Sequence, residues 1–141
     1  MQNFLKNATQ AGLYSLPASH QARLQKMAKQ ADLQLRTVEL DHFGKLDRIL
    51  GELGQALHFP DWYGANLDAL HDCLTDPEWL PKHGIVIQIT GLDHLQQKAP
   101  HAFTTLLEVL GSAARERSAA QLPLWILLDT PGHGIAPLPE A

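Results

Sequence analysis

Two short apolar runs constrain this chain more than anything else in it. Ile85–Thr90 reads Ile-Val-Ile-Gln-Ile-Thr, and residues 122–128 read Leu-Pro-Leu-Trp-Ile-Leu-Leu. The first is β-branched almost throughout, and both are too short for an apolar helix. They are predicted as buried strands, with Pro123 confined to a strand start or an edge. Residues 100–114 lie between them and place Phe103, Leu106, Leu107, Leu110 and Ala114 at helical spacing, with Pro100 near the start. The same alternation runs through the first half. Residues 12–16 are a short strand candidate. Residues 19–31 are predicted as a helix capped by Ser19, carrying Leu24, Met27, Ala28 and Ala31. Residues 33–40 alternate as a half-buried strand does, and residues 44–57 carry Leu46, Ile49, Leu50, Leu53 and Leu57 on one helical face. Strands alternating with helices imply an α/β layered fold with a small, mainly parallel sheet flanked by helices.

The length of 141 residues suits one domain with one sizeable core, and 45% hydrophobic with 18% charged residues is a globular composition. No linker or repeat divides the chain, so it is expected to be a single domain over 1–141. No apolar run approaches the ~20 residues that span a bilayer, which excludes a transmembrane helix. The first residues lack the basic head and apolar run of a signal peptide, and the single cysteine, Cys73, excludes an internal disulfide. The expected location is the cytoplasm. Gly91-Leu-Asp93-His is predicted as a turn, and residues 131–141, rich in proline and glycine, as irregular.

The formal charge of −4 conceals a polarised layout. Residues 49–81 hold Glu52, Asp61, Asp68, Asp72, Asp76 and Glu78 and no lysine or arginine, so the rest of the chain sums to +2. Bulk charge argues against a nucleic-acid partner, and the acidic segment argues for a cationic one. Within it, residues 67–75 are predicted as a helix with Asn66 as N-cap and Pro77 just beyond its end. Leu67, Leu70 and Leu74 share the core face. Asp68, Asp72 and Asp76 stack four apart on the far side, with His71 and Thr75 between the faces and Cys73 at the opposite boundary. Like charges at that spacing repel by roughly 0.2–0.5 kcal/mol per neighbouring pair. Asp68 gains from the helix dipole, but Asp76, at the unfavourable end, does not. No base nearby in sequence offsets the repulsion. Trp62 and Tyr63 precede this helix directly. Tyr63 is expected in the core and Trp62 outside it, where tryptophan commonly anchors an interface.

The run Phe59-Pro-Asp-Trp-Tyr-Gly-Ala-Asn-Leu-Asp-Ala-Leu-His-Asp-Cys-Leu-Thr75 resembles the signature of the barstar family of ribonuclease inhibitors: an aromatic pair followed by Gly-x-Asn-Leu-Asp-Ala-Leu-x-Asp-Cys-Leu-Thr. A weaker resemblance extends from Leu33 to Asp129, which leaves residues 1–32 as an added N-terminal strand–helix unit and 130–141 as a tail. The resemblance implies a protein plug whose acidic helix enters the cationic cleft of a small ribonuclease or toxin domain. It implies Asp72 as the main inserted carboxylate, Asp68 as its companion one turn earlier, and Trp62 as the loop aromatic packing on the enzyme. Asn66 and Thr75 match by identity, and His71 and Asp76 complete the expected partner-binding set. The chain departs from the family pattern in three places. His71 stands where the family has tryptophan. A second interfacial tryptophan has no aligned partner, since Asp76 and Pro77 fall there and Trp79 is displaced by a longer loop. A last-helix glutamate aligns with either Glu116 or Ser112. An alternative reading keeps the fold for a non-ribonuclease toxin or a regulatory partner.

An enzyme or metal protein is the disfavoured class. Asp68, His71 and Asp72 form a lone D-x-x-H-D, with no second ligand cluster. His42, His58, His83, His94, His101 and His133 are scattered, and nucleophile, phosphate-loop and dinucleotide motifs are lacking. No catalytic residue, metal or cofactor is expected. Cys73, Trp125 and Trp79 are expected to be structural, and the sequence leaves the oligomeric state open.

Overall fold

The computed structural model describes residues 3–41, 43–79, 84–130 and 135–138. His42, His83 and His133 therefore lie outside the described residues, as does most of the tail. Four strands, β1 (Leu13–Ser15), β2 (Gln34–Glu39), β3 (Ile85–Thr90) and β4 (Leu124–Leu128), form one sheet in the order β1-β4-β3-β2. Every pairing is parallel. Parallel neighbours require crossovers, and helices supply them. Helices α1 (Ala18–Gln21) and α2 (Leu24–Gln30) connect β1 to β2. Helices α3 (Leu46–Ala56) and α4 (Leu67–Leu74) connect β2 to β3, and α5 (Asp93–Lys98) and α6 (Pro100–Ala119) connect β3 to β4.

The pleat sends alternate side chains of the central strands to opposite faces. Ile85, Ile87, Ile89, Leu124, Ile126 and Leu128 join the core that also holds Ile49, Leu53, Leu70, Leu74, Leu106 and Leu110 from α3, α4 and α6. Val86, Trp125 and Leu127 face the other way, into a smaller core with Leu5, Leu24, Met27 and Leu138. The N-terminal unit thus adds β1 to the sheet edge beside β4 and covers the second face.

Four expectations are corrected. The helix predicted over 19–31 is two helices: Pro17 precedes the first, Ser19 lies inside it rather than capping it, and the chain tightens into i→i−3 bonds from His20 N–H to Pro17 and Arg23 N–H to His20. The turn at Gly91 is followed directly by α5, which buries a single apolar side chain, Leu95. One buried residue leaves no periodicity to detect. Helix α6 runs five residues past its predicted end, through Arg115-Glu116-Arg117-Ser118, because the buried stripe continues on Arg117 instead of an apolar residue. The 135–138 segment is not irregular throughout: Pro137 bridges Ser15, and Leu138 is buried.

Candidate partner-binding surface

The acidic helix is held from three sides. Asn66, with extended backbone, accepts the Ala69 N–H on its side-chain oxygen at 2.8 Å, which satisfies one of the free donors of the first turn. Ala65 before it has φ 52, an uncommon conformation for a residue with a Cβ, and this sharp reversal starts the helix. Leu70 and Leu74 are fully buried in the main core, Leu67 is half-buried against it, and Cys73 is fully buried. At the far end the Thr75 hydroxyl donates to the His71 carbonyl at 2.8 Å.

The approach loop is anchored by aromatics. The Tyr63 hydroxyl donates to the Leu50 carbonyl of α3 at 2.7 Å, and its ring packs edge-on against Phe59, 4.9 Å between centroids. Gly54 makes room for that ring, since a Cβ there would sit 2.5 Å from a Tyr63 ring carbon. Phe59 also packs edge-on against Trp79, whose indole N–H donates to the Leu57 carbonyl at 2.8 Å. Trp79 and Tyr63 therefore serve the fold. Trp62 is 55% exposed, the one large hydrophobic side chain of the described residues left in solvent.

Asp68 and Asp72 are exposed one turn apart on the solvent side of α4. Asp76 departs from the stripe. Thr75 is the C-cap, so Asp76 lies beyond the helix, half-buried, and one of its carboxylate oxygens accepts the Glu78 N–H at 2.9 Å. The missing base is Arg117 of α6. Its guanidinium donates to the Thr75 carbonyl at 3.2 Å and is 2% exposed. Burial pulls its pKa below the ordinary arginine value, and the negative charge of Asp76 opposes that shift. A cation at the carbonyl end of α4 also suits the helix dipole. Arg117 was missed because it lies 42 residues from Thr75 in sequence. One signal was available: from Ala114, the next position on the buried stripe of α6 is residue 117.

His71, half-buried, places its Nε2 3.5 Å from a carboxylate oxygen of Glu116. Glu116 therefore meets α4. Cys73 is buried, and its thiol is pushed up to about 11, first by burial and then by the charges of Asp76 and Asp72. It is a neutral core group at ordinary pH. Among the described residues no cluster of three or more His, Cys, Asp or Glu side chains is gathered as a metal site needs. No helix among them is long and apolar enough to cross a membrane.

A small parallel α/β sheet, an acidic helix and an aromatic approach loop define the class: a compact barstar-like fold carrying its charged surface on one crossover connection. The family model Barstar (barnase inhibitor) matches residues 33–129, more than half of the chain, and the chain belongs to that family. Among curated proteins, none matches the chain. The matched region begins just before β2 and ends just after β4. Its family consists of inhibitors of ribonucleases, which act by protein–protein association and not as enzymes.

Proposed function

We propose that this protein inhibits a barnase-like or other small cationic ribonuclease by seating α4 and the 58–66 loop in the enzyme's cleft. One observation carries the reading: Asp68 and Asp72 stand exposed one turn apart on a rigidly capped helix, beside an exposed Trp62. A ribonuclease must hold RNA phosphates, so its cleft is lined with cations. Carboxylates spaced along a helix offer those cations the charge that phosphates would. Asp72 is the main inserted carboxylate and Asp68 its companion, while Trp62 packs on the rim. His71 and Thr75 lie between, Asp76 closes the far end, and Glu116 widens the acidic face from α6. The buried underside of α4 holds these groups in place before contact, which lowers the ordering cost of binding. Insertion also relieves the repulsion along the stripe. The protein itself performs no chemistry, takes no cofactor, and works in the cytoplasm, where Cys73 stays reduced.

The test is titration into activity assays of small ribonucleases encoded in the same genome. The intact chain should inhibit one of them stoichiometrically. Asp72→Ala should weaken that inhibition about a hundredfold, since removing one partner of a buried charge pair costs ~3 kcal/mol or more. Full inhibition by Asp72→Ala counts against the plug. A second reading has one observation in its favour: the His71–Glu116 contact occupies the place of a family tryptophan, which suits a different cationic partner. Recovery from lysate of a non-nuclease partner that releases Asp68→Ala and Asp72→Ala would select it.

A further inference from the structure

A second charged surface, of opposite sign, lies at the other end of the sheet. Glu116 and Arg117, which meet α4, sit near the end of α6, shortly before β4 begins. That places the C-terminal half of α4 at the amino end of the sheet. At the carboxyl end, the segments leaving β2 and β3 run side by side, joined by the Leu40 N–H donating to the Thr90 carbonyl at 2.8 Å. Between them opens a groove of about 400 Å³ lined by Phe43, Gly44, Lys45, Arg48, His94 and Lys98.

Three permanent cations and a histidine line this groove, and among the described residues no carboxylate does. They come from the 43–45 segment, α3 and α5. Asp47, the nearest acid in sequence to Arg48, turns onto the Arg48 N–H at 2.8 Å. No ion pair among the described residues engages Lys45, Arg48, His94 or Lys98. The Lys98 stem passes close over Gly44, where a Cβ would lie 2.8 Å from Lys98 Cδ. In a protein of net charge −4, three cationic side chains gathered on one groove repel each other, and an anion relieves that repulsion. The volume lies within the ~300–1,000 Å³ of small-ligand clefts. It lies outside the carboxyl ends of the adjacent parallel strands β2 and β3. Half-buried Phe43 adds an apolar wall for a flat ring.

We infer that this groove binds a phosphomonoester of mononucleotide size, its phosphate held by Lys45, Arg48 and Lys98 and its ring against Phe43. The test is calorimetric titration of the full chain at low ionic strength with adenosine 5′-monophosphate, inorganic phosphate and adenosine. The expected result is saturable one-to-one binding of the monophosphate, at least tenfold weaker binding of inorganic phosphate, and none of adenosine. Arg48→Ala/Lys98→Ala should weaken monophosphate binding at least tenfold, and Lys29→Ala, on α2, should leave it unchanged. Circular dichroism checks that the variants, all at exposed positions, remain folded. Equal binding by the double variant, or no saturation by any probe, overturns the site. Inorganic phosphate binding as tightly as the nucleotide overturns the nucleotide-sized ligand. Self-association in sedimentation that Asp68→Asn/Asp72→Asn abolishes and Arg48→Ala/Lys98→Ala also abolishes would assign the groove to the acidic helix of a second copy, and overturns it too.

Discussion

The Arg117 guanidinium donates to the Thr75 carbonyl at 3.2 Å and ties the last turns of α6 to the end of the acidic helix. This contact explains how Asp76 is tolerated at the carbonyl end of the helix, where the dipole disfavours an anion. The cation is buried beneath the segment and satisfies a helix-end carbonyl, leaving the solvent side of α4 free of bases. Its Nε and second terminal nitrogen have no hydrogen-bond partner among the described residues, so the burial carries a cost.

That cost sets the first prediction. Arg117→Ala should lower stability by about 2–4 kcal/mol, because it strips the Thr75 carbonyl of its donor, leaves Asp76 without its cation and opens a cavity. Arg117→Met should lose less, since it keeps the packed stem and removes the poorly satisfied nitrogens. Urea midpoints of the three proteins check the order. Equal loss in both variants would place the value of Arg117 in its charge alone.

Trp62 and Tyr63 are neighbours with opposite roles. Trp62→Ala should leave the unfolding midpoint within ~0.5 kcal/mol of the parent, as exposed substitutions do. It should still weaken partner binding at least tenfold if the loop packs on the enzyme. Tyr63→Phe should cost about 1 kcal/mol through loss of the hydroxyl's bond to the Leu50 carbonyl, with binding retained in folded protein. Paired denaturation and inhibition curves separate the two.

Alkaline pH should unfold the protein through two groups on this element and its loop. Burial pushes the Cys73 thiol up to about 11 from 9.0, and pushes the Tyr63 phenol up to about 12 from 10.0, with help from Cys73. Both folded values are raised. Their contribution is complete below pH 9, where neither state has lost these protons. Above that, the unfolded chain binds fewer protons, so stability falls as pH rises, most steeply between about 9 and 12. Cys73→Ala should delay the onset toward pH 10. Thermal melts from pH 7 to 11.5 follow it, and a flat profile to pH 11 would contradict the burial of both groups.

Removing residues 1–32 should expose one face of the sheet. Leu24 and Met27 cover Val86, Trp125 and Leu127, which are all 0% exposed in the intact chain. The 33–141 chain, although it retains the family-matched region, should aggregate or bind a hydrophobic dye. Leu24→Ala within the full chain should cost about 2–5 kcal/mol. Cooperative, dye-silent unfolding of the truncated chain would show that the second core is dispensable.

Much of this was written locally. The periodicity of residues 46–57, the cap at Asn66, the stripe of Asp68 and Asp72 and the split between Trp62 and Tyr63 each depend on a few adjacent residues, and helix or strand geometry converts such spacing directly into faces. Helix α5 escaped because one buried leucine has no period. The break between α1 and α2 escaped because a change from i→i−4 to i→i−3 bonding leaves the side-chain pattern nearly intact.

The mainly parallel α/β class, the acidic helix with its core and solvent faces, and the family signature were all readable from residue order, because each is a short-range pattern. Which distant groups meet emerged with the folded arrangement. It set Arg117 under Thr75 and Asp76, Glu116 beside His71, and Lys98 across Gly44. It also laid the N-terminal unit over the second face of the sheet. These contacts follow from the direction of the crossovers, which bring residues tens of positions apart together; the spacing within one segment can mark a buried position such as 117 but cannot name the partner it meets.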